Sequence, residues 1–393
     1  MTTVRAEKRV DWIDYAKGIC IVFVVLLYST GTAESVLHAK GWIHAVGDFA
    51  RAFRMPDFFL ISGLFVSRVI HRRWRDYLDS KVLHFLYFYV LWLTIDFVVA
   101  EWRGLIGHEP VKSVTEYLSL YLQPHGQLWF IYLLPLFFIA AKAMHRVPLL
   151  VVAGIAIALK LADLDTGWKM IDRFGMYFVF FYAGHVFANT VFVLVEWMRQ
   201  RRVIRSAYLL AWCAINGTLV MQGLIEVPII NLVMGLTGAF AVILVATMMI
   251  SVRGMGWVRY LGANSLVVYV GFGVPMILLR KIVLTNSLID NVDLASIVLT
   301  VLSILGALAM FWLTRGTALD FLFARPAWAR LPSNASVRNA NLSIADGVDE
   351  SNIVSTTAPL TCLADNVMSK TIDPRLDAKS RENGPPDGSR LTA

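Results

Sequence analysis

The stretch DWIDYAKGICIVFVVLLYST, residues 11–30, decides how the chain folds. Residues 19–27 are all apolar, as in a helix that crosses a membrane. Lys17 and Tyr28 are separated on an α-helix by about 20° around the axis and about 16 Å along it, and Asp14 shares their face. Polar residues within a span usually face a bundle interior or a water-filled cavity. The alternative is an Asp14–Lys17 pair at the membrane surface, with Tyr28 in the interfacial aromatic belt.

The composition is that of a membrane protein. Hydrophobic residues make up 57% of the chain and charged residues 16%, which is too apolar for a soluble enzyme. The net charge of +8 implies no nucleic-acid partner, because the basic residues cluster in short loops between apolar runs. Cys20, Cys213 and Cys362 lack the spacing of a metal site or a disulfide framework, so we expect neither.

The predicted fold is all-α, a polytopic bundle of about ten transmembrane helices, since a spanning helix needs about 20 mostly apolar residues. We predict this membrane domain over residues 1–325 and a disordered cytoplasmic tail over residues 326–393, where polar residues replace the apolar runs. The predicted spans are residues 13–31, 49–67, 82–103, 128–146, 148–163, 172–196, 204–224, 227–250, 260–284 and 293–315.

Basic residues are concentrated in every other loop. This alternation is typical of the positive-inside rule, and it predicts that both termini lie in the cytoplasm of a bacterial inner membrane. An even number of spans agrees with that orientation. Membrane lipids are therefore expected partners, and the pattern does not determine the oligomeric state. The basic loops include Arg5, Arg72, Arg146, Arg201 and Arg253.

Arg54 and Asp57 open the second predicted span from the outside and face the same way on a helix. A charged pair that enters hydrocarbon is costly and marks a site by default, although a self-neutralising pair at the interface is the alternative. The fourth span opens with His125, Gln127 and Trp129. His125 is suited to proton transfer, Gln127 to orienting a substrate, and Trp129 to packing on the apolar face of a sugar. The alternative is that these residues form only an interfacial aromatic belt.

At the cytoplasmic side, Lys81 and His84 begin the third span, and Asn264 and Ser265 begin the ninth. These residues are predicted to line a vestibule for a phosphate-rich ligand, because Lys side chains bind phosphates. The alternative for Lys81 is a topology signal.

Five segments in this order resemble the integral-membrane acyltransferase family 3, most of all its branch related to fucose 4-O-acetylases. The resemblance implies about ten spans and the transfer of an acyl group, commonly acetyl, from cytoplasmic acetyl-CoA to a hydroxyl of a cell-envelope glycan. The segments are WIDYAKGICIVFVVLLYS at 12–29, FRMPDFFLISGLFVSR at 53–68, the lysine-led start of the third span, HGQLWFIYLLPLF at 125–137 and YLGANSLVVYVGF at 260–272.

The chain departs from the family pattern at three positions; one is Phe272 or Gly273, where the family frequently has a His after the N-S-L…Y segment of the ninth span. The family's first helix usually carries a basic residue, ten others and a catalytic His; Lys17 fits the first position, but Tyr28 occupies the second. Asp57 stands where the family usually has an apolar residue. A phenol is a poor general base at neutral pH unless a cation such as Arg54 stabilises the phenolate. His125 is the alternative base, and loss of acyl transfer is the third alternative.

The sequence therefore predicts an O-acyltransferase that uses acyl-CoA as co-substrate, without a bound cofactor. The acceptor is expected to be a hydroxyl of a glycan or a lipid-linked sugar. We expect Lys17, Lys81 and His84 to hold the CoA phosphates, and Arg54 and Asp57 to orient the acceptor or stabilise the oxyanion. The alternative is a non-catalytic relative that transports or recognises a lipid-linked sugar, which the lack of paired, Gly/Pro-broken spans disfavours.

Labelling of introduced cysteines tests the orientation. A reagent applied from outside should modify sites near His108 and Asp165 and spare sites near Arg72, Arg201 and the tail, because basic loops stay in the cytoplasm. Labelling of the tail from outside would contradict the predicted orientation.

Overall fold

The computed structural model describes residues 10–106, 114–124, 126–280, 282–283 and 289–331, and within these ranges the chain forms helices and no strand. The helices in the first part are α1 (Asp11–Leu37), α2 (Trp42–Arg51), α3 (Arg54–Leu64), α4 (Val66–Val69), α5 (Trp74–Leu78), α6 (His84–Ile106), α7 (Val114–Ser119) and α8 (Trp129–Ala143). The later helices are α9 (Leu149–Leu161), α10 (Lys169–Val186), α11 (Ala188–Gln200), α12 (Arg202–Met221), α13 (Pro228–Met249), α14 (Gly256–Ala263), α15 (Ser265–Gly271), α16 (Gly273–Arg280) and α17 (Val292–Thr314). A π-helical turn, Asp79–Leu83, joins α5 to α6.

The chain is a helical protein with several membrane spans. Within the described ranges, five helices are long and apolar enough to cross a membrane: α1, the continuous segment Trp74–Trp102, α12, α13 and α17. A sixth span results if α10 and α11, which meet at a 74° bend, are counted together. The apolar helices α8 and α9 are shorter. The multi-span helical fold is therefore confirmed, and the number of about ten stays a prediction.

Three of the predicted spans are not continuous helices. The predicted span 49–67 is divided among α2, α3 and α4, the span 172–196 between α10 and α11, and the span 260–284 among α14, α15 and α16. Pro275 explains the break before α16, because it has no N–H to donate to the carbonyl of Gly271. At the break before α15, the Asn264 side chain and the Asn264 backbone N–H both donate to the backbone carbonyl of Tyr260, at 2.9 Å and 3.1 Å. These breaks remove one basis of the sequence-based argument against a transporter, the lack of Gly/Pro-broken spans, and the transporter alternative stays open.

Helix α1 lies in the centre of the bundle, where it packs against α2, α3, α13, α14, α15 and α17. Two glycines bring it close to α14. A Cβ atom at Gly18 would overlap the carbonyl of Val258, and one at Gly262 would overlap the carbonyl of Asp14. This contact fixes the end of α1 that carries Lys17.

A second glycine pair joins α3 to α10. A Cβ at Gly63 would overlap the carbonyl of Phe181, and one at Gly184 would overlap the carbonyl of Leu60. Small residues allow this close approach of helix backbones in membrane proteins. The contact places α3, which carries Arg54 and Asp57, against α10.

The segment after α17 returns to the π-helical turn. Arg325 is buried and forms an ion pair with Asp79, and the Leu331 backbone N–H donates to the same carboxylate at 2.8 Å. The first residues of the predicted tail, up to Leu331, therefore pack on the domain. The remainder of the tail prediction lies outside the described residues.

The glycine contacts can be tested by adding a single methyl group. Gly184→Ala should destabilise the purified protein by about 1–3 kcal/mol, the usual cost of an overpacked site, because the new Cβ meets backbone. Gly154→Ala, in α9 with open space around it, is the matched control and should be neutral or slightly stabilising. Thermal unfolding in detergent measures both, and equal midpoints for the two variants would contradict the close packing.

Candidate functional site

Helix α1 carries polar groups at both ends of its interior face. Lys17 lies near its start, and Tyr28 lies about 16 Å further along the axis. Each meets side chains from other helices, so the bundle contains two separate polar clusters. Asp57, on α3, is completely buried and interacts electrostatically with Lys17.

The tyrosine–arginine cluster consists of Tyr28, Arg54, Trp129, Arg173 and Tyr177. The Tyr28 hydroxyl donates to the backbone carbonyl of Gly126 at 2.9 Å. It also interacts electrostatically with Arg54, Arg173 and Tyr177. Tyr28, on α1, therefore lies close to cations from α3 and α10, two helices that are brought together by the glycine contact between them.

Aromatic rings form the wall of this cluster. The Arg173 guanidinium lies 4.6 Å from the centre of the Trp129 ring, within the range of a cation–π contact. Trp129 packs on Tyr177 with ring centres 5.4 Å apart, and Tyr177 lies 5.3 Å from Phe59. Such rings offer apolar faces for a sugar or an acyl group.

The turn that faces Tyr28 is held by hydrogen bonds. Gln127 donates through Nε2 to Asp96 Oδ2 at 2.8 Å, and its backbone carbonyl accepts a hydrogen bond from Tyr269. Gly126 has a φ of +69°, a left-handed conformation that favours glycine. Gln127 therefore positions the turn rather than pointing into the cluster. His125, the predicted base, lies outside the described residues.

Asp57 does not pair with Arg54, although the two residues are three apart on α3. Its Oδ2 accepts a hydrogen bond from the Cys20 thiol at 2.9 Å, and its Oδ1 is buried without a partner. The structure thus places Asp57 next to α1 between Lys17 and Tyr28, and not beside the Tyr28 hydroxyl.

The lysine cluster consists of Lys17, Arg72, Lys81 and His84. Lys81 interacts electrostatically with Lys17 and Arg72, and His84 interacts with Lys81. The Lys81 ammonium also lies 5.5 Å from the centre of the Phe138 ring. A group of mostly positively charged side chains is suited to bind phosphate groups. The structure therefore brings together the three residues that were expected to hold the CoA phosphates, Lys17, Lys81 and His84.

Asn264 and Ser265 lie where α14 meets α15. Both are partly buried, and both helices pack against α1. Gly262, two residues before Asn264, contacts the Asp14 carbonyl, so this junction lies near the Lys17 end of α1. No group of three or more His, Cys, Asp or Glu side chains in the described ranges is arranged to hold a metal ion.

Sequence reasoning missed Arg173, Tyr177 and Asp96. Arg173 and Tyr177 are four residues apart and share a helix face, which was a usable signal. Asp96 lies within the predicted span 82–103, as does Glu101, and was also a usable signal, because a carboxylate within a span marks a functional site by default.

Comparison with known proteins agrees with the resemblance. The family described as Acyltransferase domain, acyltransferase family 3, matches residues 10–316. The chain is also 26% identical over 233 residues to the inner membrane protein YcfT of Escherichia coli (strain K12). That similarity covers 53% of this chain and 64% of the relative, so the chain spans just under two thirds of the relative's length. No solved structure matches the chain.

Proposed function

The chain belongs to the acyltransferase family 3, and we propose that it transfers an acyl group, acetyl in the first instance, from acyl-CoA to a hydroxyl of a cell-envelope glycan or lipid-linked sugar. The proposed location is a bacterial inner membrane, the location in the relative's name, with both termini in the cytoplasm. One observation supports this proposal most. Helix α1 carries Lys17 next to other basic side chains at one end and Tyr28 between two arginines at the other.

The two clusters suit the two substrates. The phosphates of acyl-CoA bind at the lysine cluster, where Lys17 and Lys81 act as point charges and His84 lies beside them. The acyl group lies at the end of the long flexible arm of CoA and reaches towards Tyr28. The acceptor binds against Trp129, with the hydroxyl that is to be acylated near Tyr28.

The reaction requires a proton acceptor and stabilisation of an oxyanion. The acceptor hydroxyl loses its proton to His125 or Tyr28, and its oxygen attacks the carbonyl carbon of the thioester. The carbon–sulfur bond then breaks, and the CoA thiolate leaves and takes up a proton. Arg54 and Arg173 stabilise the negative charge that develops on the carbonyl oxygen. In the structure, the Tyr28 hydroxyl donates to a carbonyl that cannot accept its proton, which favours His125 as the base.

The first test is the reaction itself. Mass spectrometry of envelope glycans from cells with and without the protein should reveal an acyl group that depends on the protein. If no glycan changes, and the purified protein acylates no sugar from acetyl-CoA, the enzyme proposal fails. The non-catalytic alternative, transport or recognition of a lipid-linked sugar, would then replace it.

Two variants separate the candidate bases. With His125 as the base, His125→Ala should lower the rate by about 10²–10⁴, and activity should rise with pH through about 6–7. Tyr28→Phe would then be mild, and Tyr28→His should keep or raise activity. With Tyr28 as the base, Tyr28→Phe is the severe change and the rise lies at higher pH. Tyr208→Phe, which removes a similar bond to a backbone carbonyl at Thr237, is the control.

The donor site is tested by kinetics. Lys17→Ala should raise the KM for acyl-CoA with less effect on kcat, because a phosphate contact is made equally in the ground and transition states. Lys81→Ala should do the same to a smaller extent. Lys169→Ala, which removes an exposed lysine at the start of α10, is the control. An unchanged KM in both variants would exclude these lysines from the donor site.

A further inference from the structure

Two arginines in the tyrosine–arginine cluster lack a counter-charge. Nη1 of Arg54 and Nη1 of Arg173 are both buried without a hydrogen-bond partner. Neither side chain forms an ion pair with any carboxylate in the described part of the chain. A buried guanidinium nitrogen without a hydrogen-bond partner is costly, although both arginines are partly exposed and Arg173 also lies against the Trp129 ring.

The acidic group that interacts with Arg54 is already engaged. Asp48 attracts Arg54 from a distance, but its carboxylate is 2.5 Å from Arg51 and 3.4 Å from His44. The other groups that interact with Arg54 include the phenols of Tyr28 and Tyr177. Both phenols are neutral when protonated, so the cluster keeps an excess of positive charge.

We propose that the acceptor substrate carries an anionic group, a carboxylate or a phosphate, which binds between Arg54 and Arg173. This inference rests on the proposed function and names the acceptor class more closely. A guanidinium forms paired hydrogen bonds with either group, and the two unpartnered nitrogens supply donors from both sides. The rings of Trp129 and Tyr177 then contact the sugar, which carries the hydroxyl towards Tyr28.

The test measures binding apart from transfer, with the purified full-length chain in detergent. The probes are methyl glucuronide for a carboxylate, glucose 1-phosphate for a phosphate, and methyl glucoside as the neutral sugar. At least one anionic probe should bind about tenfold or more tightly than methyl glucoside. Arg54→Gln and Arg173→Gln should each weaken that binding by about 10- to 100-fold, as expected for a lost charge-assisted hydrogen bond.

Arg51→Gln is the matched control. Arg51 lies three residues before Arg54, and its charge is already balanced by Asp48 and by Glu226 at 2.6 Å. Its loss should leave probe binding unchanged. Without ligand, the Gln variants at Arg54 and Arg173 should unfold at or above the wild-type temperature, because each removes an uncompensated buried charge. If a Gln variant does not accumulate, Arg54→Lys or Arg173→Lys replaces it. The lysine keeps the positive charge but lacks the paired N–H donors of a guanidinium, so binding of the anionic probe should still weaken.

Several results would overturn the inference. They are no binding of either anionic probe to the wild type, equal binding of methyl glucoside, or no effect of the Arg54 and Arg173 variants. Displacement of the anionic sugar by CoA would also overturn it, since the cluster would then hold the donor's phosphates. Transfer to neutral acceptors alone contradicts this inference but leaves the acyltransferase proposal intact. Arginine-dependent anion binding without any acyl transfer contradicts the proposed function instead.

Discussion

A charge within the apolar interior of a membrane domain must find a partner or face a polar space, and this constraint organises the bundle around α1. The interior face of α1 carries Lys17 and Tyr28, so the surrounding helices must supply polar side chains opposite both. Near Tyr28, helix α3 supplies Arg54 and helix α10 supplies Arg173. The helices that surround α1 in the bundle thus bring polar groups to both ends of its face.

Arg54 and Arg173 differ from other buried cations in the domain, which have hydrogen-bond partners. Lys142 is buried, and its ammonium donates to the backbone carbonyls of Ile70 and Arg72. Lys160 donates to the Asn231 side chain at 2.9 Å, and Arg325 pairs with Asp79. These three cations are paired within the fold, whereas Nη1 of Arg54 and of Arg173 has no partner; Nε of Arg205 is also buried without a partner, but its Nη1 donates to the Arg199 carbonyl at 3.5 Å. Such a difference within one domain separates groups that hold the fold from groups that await a ligand.

Much of this arrangement was predictable from the sequence, because hydrophobic length identifies spans and helical period identifies a polar face. These two signals gave the helical membrane fold and the grouping of Lys17 with Lys81. The breaks at Asn264 and Phe272 were not predicted, since a run such as 260–284 is equally apolar whether its helix is continuous or broken. Arg173 was missed because its role depends on the packing of α10 on α3, which tertiary contacts decide.

The two clusters are separated by a layer of buried side chains in the bundle. Cys20 lies between Lys17 and Tyr28 on α1, and both Cys20 and its partner Asp57 have no exposed surface. An acyl group bound from the lysine end must pass this layer to reach Tyr28. The packing in this layer must therefore open for an acyl group to pass from the lysine cluster to Tyr28.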